Sequence, residues 1–211
     1  VMAMTQLGDE ILVGAESHVY NLEVAGLSAL SGVQAKTLKS EQGRFNMNDI
    51  ASSIRAKGIQ APITSLICLE NTYDLNKGIP LSKDYIGEVM QIAHARKVKG
   101  YLDGARLFNA STALGESPQE ICSEVDAVMF CLSKGLCAPV GAMLAGSCEF
   151  VERARWMRQR IGGGMRQAGH MAAAGLVALK QMMPRLSVDQ SNAQYLITKL
   201  KEIDERLVDP E

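Results

Sequence analysis

The sequence predicts an α/β fold in three layers, with a mostly parallel sheet covered by helices on both faces. Three observations predict it. Short runs of consecutive apolar residues, such as SLICLE (65–70) and AVMFCLS (127–133), are too uniformly apolar for a sheet with one wet face. Stretches of helical periodicity separate these runs. Several runs end in polar residues, as strands do when their carboxyl ends open on a ligand cleft. The 211 residues, 47% hydrophobic and 21% charged, suffice for a substantial core and are wrong for a disordered chain.

EILVG (10–14) is the first strand, a helix follows from about Ser17 to Leu30, and VQAKTL (33–38) is the next strand. Asn46 or Asn48 caps a short helix with Ile50 and Ile54 on one face, because helical residues four apart lie over one another. SLICLE is an apolar strand ending in the polar cluster ENTYD (70–74). Ile86, Val89, Met90 and Ala93 make the buried stripe of the following helix, and GYLD (100–103) is a strand ending in a carboxylate. Helical turns through Leu107 and PQEIC (118–122) lead to AVMFCLS, whose end carries Ser133 and Lys134. VGAMLAG (140–146) is the last strand. Three helices come after it: one striped by Phe150, Ala154, Met157 and Ile161, one over residues 165–183, and one lined by Leu196, Leu200, Ile203 and Leu207. Gly162, Gly163 and Gly164 between the first two predict a turn, since each would cost ~1 kcal/mol inside a helix.

The charge balance, 22 Lys and Arg against 23 Asp and Glu, excludes a dedicated binder of nucleic acid or anionic membrane. The apolar stretch from Leu136 to Gly146 is broken by Pro139 and falls far short of the ~20 residues a membrane span needs. Cys68, Cys122, Cys131, Cys137 and Cys148 are odd in number, widely spaced and free of CxxC, which predicts reduced thiols and a cytoplasmic location. His18, His94 and His170 are too scattered for a metal cluster, and no GxGxxG, Walker A, HExxH, GxSxG or EF-hand pattern occurs. The opening VMAMTQLGDEI and the closing ERLVDPE read as interior segments of a longer protein.

Polar residues at strand ends are the candidates for chemistry: Glu70 and Asn71, Asp103 with Arg106, and Ser133 with Lys134. Asp103 precedes Gly104, so its carboxylate either turns into the cleft or caps the helix through GARLFNA. Lys134 is either a desolvated, nucleophilic amine or a solvated loop lysine. A carboxylate and an amine at neighbouring strand ends match what a nitrogen heterocycle with a reactive carbonyl requires. Arg166, just past the triple glycine, is placed to donate to a carboxylate or phosphate, whereas Arg153, Arg155, Arg158 and Arg160 read as a solvated face. His18 opens a helix directly after a strand.

AESHVYNLEVAG, SLICLENT, YLDGARLFNA, FCLSKGLCAPVGAMLAG and GGGMRQAGHMAAAGLVAL cover most of the chain. In that order they resemble the low-specificity L-threonine aldolases, pyridoxal-phosphate lyases of the aspartate aminotransferase superfamily. The resemblance implies a large domain with a mostly parallel seven-stranded sheet over residues 1–184, shortened at its amino end. Residues 185–211 would form a linker helix leading to a small carboxyl-terminal domain outside this chain. It implies that Lys134 holds pyridoxal 5'-phosphate covalently, that Asp103 pairs with the pyridine nitrogen, and that His18 stacks on the ring. Ser133 and Arg106 would surround the cofactor, with Arg106 receiving the substrate carboxylate and Arg166 supporting the same region. The segment holding the cofactor phosphate would lie outside this chain.

The implied reaction cleaves L-threonine or L-allo-threonine to glycine and acetaldehyde, in a homodimer or homotetramer. One departure bears on it. Family members commonly carry a histidine after ENT, and this chain has Tyr73, whose pKa near ~10 makes it a poorer base at neutral pH than histidine. Racemisation or β-elimination on the same scaffold is therefore the alternative reaction, and a noncatalytic α/β interaction module is the alternative to an enzyme.

Overall fold

The computed structural model describes residues 1–75 and 77–208. In chain order its strands are β1 (Glu10–Gly14), β2 (Gln34–Leu38), β3 (Ser40–Glu41), β4 (Arg44–Phe45), β5 (Thr64–Glu70), β6 (Lys99–Asp103), β7 (Ala127–Cys131) and β8 (Ala142–Gly146). The α-helices are α1 (His18–Asn21), α2 (Gly26–Ala29), α3 (Met47–Ser53), α4 (Lys83–Ala95), α5 (Leu107–Leu114), α6 (Pro118–Ile121), α7 (Cys148–Arg160), α8 (Gly169–Val177) and α9 (Leu186–Ile203).

The main sheet has the order β2-β1-β5-β6-β7-β8, and β3 pairs with β4 apart from it. Every neighbouring pair in the main sheet is parallel except β7 with β8. The carboxyl ends of β1, β5, β6 and β7 therefore open on one edge. Side chains alternate across the two faces. Leu12, Ile67, Leu69, Leu102 and Val128 enter the core that contains Ile50, Ile86, Val89 and Met90 of α3 and α4. Ile11, Val13, Leu66, Cys68 and Tyr101 face Leu27 and Val33 on the other side. Burial on both faces is what the uninterrupted apolar runs predict, and the α/β architecture with a largely parallel sheet is confirmed.

Local sequence signals explain several boundaries. Asn46 caps α3 by accepting from the Asn48 N–H, and Ser82 and Ser147 cap α4 and α7 in the same manner. Ser117 and Glu120 form a reciprocal capping box behind Pro118. At the end of α7, the Gly163 N–H donates to the Arg158 carbonyl and the Gly162 N–H to that of Gln159, with Gly162 at φ +81°. This is the paired closure of a helix by a left-handed residue, for which glycine has no Cβ penalty.

Four expectations are corrected. The helix from Ser17 to Leu30 is two short helices, because Val24 and Ala25 turn left-handed and Val24 is exposed with no packing to hold a longer helix. The helix over 165–183 begins only at Gly169, after a left-handed Gln167, and passes through a π-helical turn at Ala178–Met182. The main sheet has six strands among the described residues where the resemblance implied seven. All five residues of β8 are exposed, in contrast to the buried strand predicted from VGAMLAG.

Candidate active site

The strand ends place the predicted site residues around Asp103. In-register pairing sets Glu70 of β5 beside Asp103 of β6, and the Asn71 N–H donates to the Asp103 carbonyl at 2.7 Å. The Asp103 side chain is buried, with the residue 8% exposed, and its Oδ1 accepts from the Ala105 N–H at 3.1 Å. Burial pushes its carboxyl above the usual range, while that hydrogen bond and the charges of His18 and Lys134 pull the other way. No lysine, arginine or histidine lies within 4 Å of it among the described residues.

Lys134 lies three residues beyond the end of β7, in the connection to β8, and is half-buried. That connection folds back on itself: the Cys137 N–H donates to the Lys134 carbonyl, and Leu132 bonds to both Gly141 and Ala138. The Lys134 amine has no ion pair among the described residues. Ser133 beside it is exposed.

His18 stands at the start of α1, held from its backbone. Its N–H donates to Oε2 of the buried Glu70 at 2.8 Å, and the Asp74 N–H donates to Oε1 of the same carboxylate at 2.7 Å. Burial raises the Glu70 carboxyl pKa and these two donors oppose the rise. The His18 Nδ1 is 3.0 Å from Asp74 Oδ2, and its Nε2 is 3.1 Å from Glu23 Oε1. The hydrogen bond His18 makes to the Asp74 carboxylate is the main cause that raises the His18 pKa; partial burial opposes it. Asp74 in turn sits below the carboxylate range because of His18 first and Arg106 next, whose Nη1 is 2.8 Å from Asp74 Oδ1.

His18 and Arg106 are thus joined through Asp74, and the charges of His18 and Lys134 act on Asp103. Glu70 and Asn71 serve the scaffold. Glu70 ties two loops, and the Asn71 amide exchanges hydrogen bonds with the Leu81 backbone at 2.8 and 3.0 Å. Asp74 and Glu23 belong to the cluster but were not among the predicted site residues. Asp74 was visible as the last member of ENTYD, whereas Glu23 looks like any exposed helix carboxylate.

Tyr73 stands apart. The Tyr73 residue is 1% exposed, and its ring lies against Gly43. A Cβ on Gly14 would overlap its hydroxyl. Gly14 shares the face of Leu12, so this tyrosine packs on the α3 and α4 side of the sheet, while Asp103 shares the opposite face with Tyr101. The hydroxyls of Tyr73 and Ser40 are buried without a well-formed hydrogen bond, and burial raises the Tyr73 pKa further. Arg166 is exposed, with no ion pair among the described residues.

These residues fit the pyridoxal ring. A buried carboxylate lacking a cationic partner suits a protonated ring nitrogen, an unpaired half-buried amine suits a carbonyl carbon, and a flat ring held at its edges suits a stacking face. All five cysteines are free, and no helix of the described residues is long and apolar enough to cross a membrane.

Comparison with known proteins places the chain among similar molecules. Residues 1–211 match the family model described as beta-eliminating lyase. The chain is 43% identical over 199 residues to low-specificity L-threonine aldolase 1 of Arabidopsis thaliana, covering 93% of this chain and 56% of that protein. It is 36% identical over 203 residues to the low specificity L-threonine aldolase of Escherichia coli K12, covering 96% and 60% respectively. The chain thus spans a little over half the length of these relatives. Among solved structures, Leishmania major threonine aldolase superposes with a TM-score of 0.79 at 17% identity, over 94% of this chain and 58% of that one. A pyridoxal-phosphate-bound C-S lyase from Staphylococcus hominis gives 0.70 at 11%, over 98% and 53%. At these identities the structural likeness shows the fold.

Proposed function

The chain belongs to the beta-eliminating lyase family, and from that premise we propose that it carries the catalytic core of a pyridoxal-phosphate-dependent aldehyde-lyase. The proposed reaction converts L-threonine or L-allo-threonine to glycine and acetaldehyde. Atoms balance without a co-reactant: the Cα–Cβ bond breaks, the β-hydroxyl loses its proton as the aldehyde forms, and Cα gains one. The observation that carries the reading is the buried, cation-free Asp103 carboxylate within the electrostatic reach of both Lys134 and His18, in a chain 36–43% identical to named threonine aldolases.

When bound, pyridoxal phosphate supplies an electron sink for the pair released at Cα. Lys134 would hold it covalently through its amine. Asp103 would keep a proton on the ring nitrogen by charge, and the dry surroundings of the carboxylate strengthen that pairing. His18 would cover one face of the ring. Arg106 spends one nitrogen on Asp74, leaving the rest of its planar donor fork for a substrate carboxylate. Ser133 would border the cofactor, and Arg166 would support the same region. Tyr73, packed behind Gly14, would act through the loop that carries Asp74 and not at the substrate hydroxyl. Assembly into dimers or tetramers is part of the proposal, supported by the exposed apolar Leu176 and Val177 of α8 and the exposed Trp156 of α7.

A product balance on the intact protein tests the reaction. Equal amounts of glycine and acetaldehyde from either threonine diastereomer are expected. Ammonia with a keto acid would identify β-elimination, the reading that the Tyr73 placement favours next, and loss of chirality alone would identify racemisation. Light scattering tests the assembly, and an active monomer would contradict it.

A further inference from the structure

We infer that Asp74 and Glu23 hold His18 as a fixed imidazolium, so that its ring serves the site as a doubly donating, cationic plate and not as the base of the reaction. Asp74 is then a positioning residue, acting through His18 and Arg106.

Hydrogen-bond chemistry carries the inference. A neutral imidazole has one donor nitrogen and one acceptor, and an ionised carboxylate can only accept. Here both ring nitrogens face carboxylates, Nδ1 at 3.0 Å from Asp74 and Nε2 at 3.1 Å from Glu23. In either neutral tautomer one of these contacts would set lone pair against lone pair. The imidazolium satisfies both. The geometry is held from behind, because Glu70 takes the backbone N–H of His18 with one oxygen and that of Asp74 with the other. Ring and clamp therefore hang from the same buried side chain.

The surrounding charges agree. Carboxylates approach His18 from the turn after α1 (Glu23), from the β5–α4 loop (Asp74), and from the ends of β5 (Glu70) and β6 (Asp103). Of the nearby cations, Arg106 binds Asp74 through Oδ1, leaving Oδ2 to His18, and Lys134 makes no ion pair among the described residues. The Asp74 side chain is 25% exposed and that of Glu23 57%, so Asp74 is the stronger arm of the clamp. A ring protonated through the neutral range cannot accept a substrate proton there.

The part about the reaction rests on the proposed function; the protonation state does not. The test is a nitrogen-15 NMR titration of histidine side chains in the intact protein, without cofactor or substrate, with His18 identified by signals lost in His18→Gln. Both ring nitrogens of His18 are expected at protonated shifts at pH 7, with a midpoint raised above the ordinary ~6.5. Asp74→Asn should lower the midpoint by about one unit or more, and Glu23→Gln by less. Glu23 is exposed, so Glu23→Gln folds even if Asp74→Asn does not. A wild-type midpoint near 6.5, or one that neither substitution moves, overturns the clamp. In the cleavage assay, Asp74→Asn should bring a limb of the pH profile into the range of an ordinary histidine, and an unchanged profile counts against the positioning role. A His18 that stays charged in a protein yielding no glycine or acetaldehyde would sink the proposed reaction and leave the clamp standing. A His18 that titrates normally in a protein cleaving threonine would do the reverse.

Discussion

Glu70 and Asp103 stand side by side in register at the ends of β5 and β6, and the fold uses their carboxylates in opposite ways. Glu70 has both oxygens filled by backbone donors, which makes it a strut between the loops carrying His18 and Asp74. Asp103 has one backbone donor and no cation within 4 Å among the described residues, so most of its hydrogen-bonding capacity is held open.

That openness has a stability signature. Burial lifts the Asp103 carboxyl above its ordinary 3.8, so between that value and its folded pKa the native state binds more protons than the unfolded chain. Stability contributed by this group then falls as pH rises through the interval, and at neutral pH the ionised carboxylate is a burden. Asp103→Asn should raise the Tm of the cofactor-free protein at pH 7, while turnover falls at least about tenfold with the loss of the charge on the ring nitrogen. A lower Tm would instead make Asp103 a cap for α5.

For Glu70 the expectation is reversed. Glu70→Gln turns one acceptor into a donor facing a backbone N–H, and should cost about 1–3 kcal/mol, read from the urea midpoint. His18 and Asp74 resonances should broaden together, since one side chain holds both. A shift confined to His18 would show that the two loops are held independently.

Covalent attachment should fall on Lys134. Borohydride reduction of the cofactor-loaded protein, followed by peptide mass analysis, is expected to place the adduct there, and Lys134→Ala should abolish both adduct and turnover. An adduct on another lysine would move the site.

Gly14 and Tyr73 should be energetically coupled. A methyl group at Gly14 would overlap the Tyr73 hydroxyl, whereas the next ring atom is 3.1 Å away. Gly14→Ala alone should cost about 1–3 kcal/mol, and less in the Tyr73→Phe background. Tyr73→Phe alone should be neutral or mildly stabilising, because it removes a buried hydroxyl with no well-formed partner. Strict additivity in the denaturation cycle would show that the two do not touch.

The strands were legible because burial on both faces leaves runs such as SLICLE with no polar position, and the caps Asn46, Ser82 and Ser117 announce their helices chemically. Asp103 and Lys134 were legible for a related reason: polar residues that end apolar strands must meet at the carboxyl edge of a parallel sheet. The helix break at Val24 was not, since LEVAG has acceptable helical propensity and only missing tertiary support divides it. Nor was the side of the sheet taken by Tyr73. Its place follows from the empty Cβ positions of Gly14 and Gly43, which belong to distant stretches of chain. The role of Asp74 depends on a contact to a residue 56 positions away, and no local pattern encodes it.

The exposure of β8 matters to anyone who makes this chain by itself. Only β7 is bonded to it among the described residues, so its outer edge offers a row of unpaired amides and carbonyls, with Met143 and Leu144 nearly half exposed alongside. Such an edge is a template for strand capture. Purified preparations of these 211 residues should therefore grow oligomers as concentration rises, by ladder growth at β8. The Leu132 N–H bonds to the in-register Gly141 carbonyl, so along β8 the residues bonded to β7 are 143 and 145, and the Leu144 N–H lies on the free edge. A proline at position 144 should slow that growth while sparing the β7–β8 ladder.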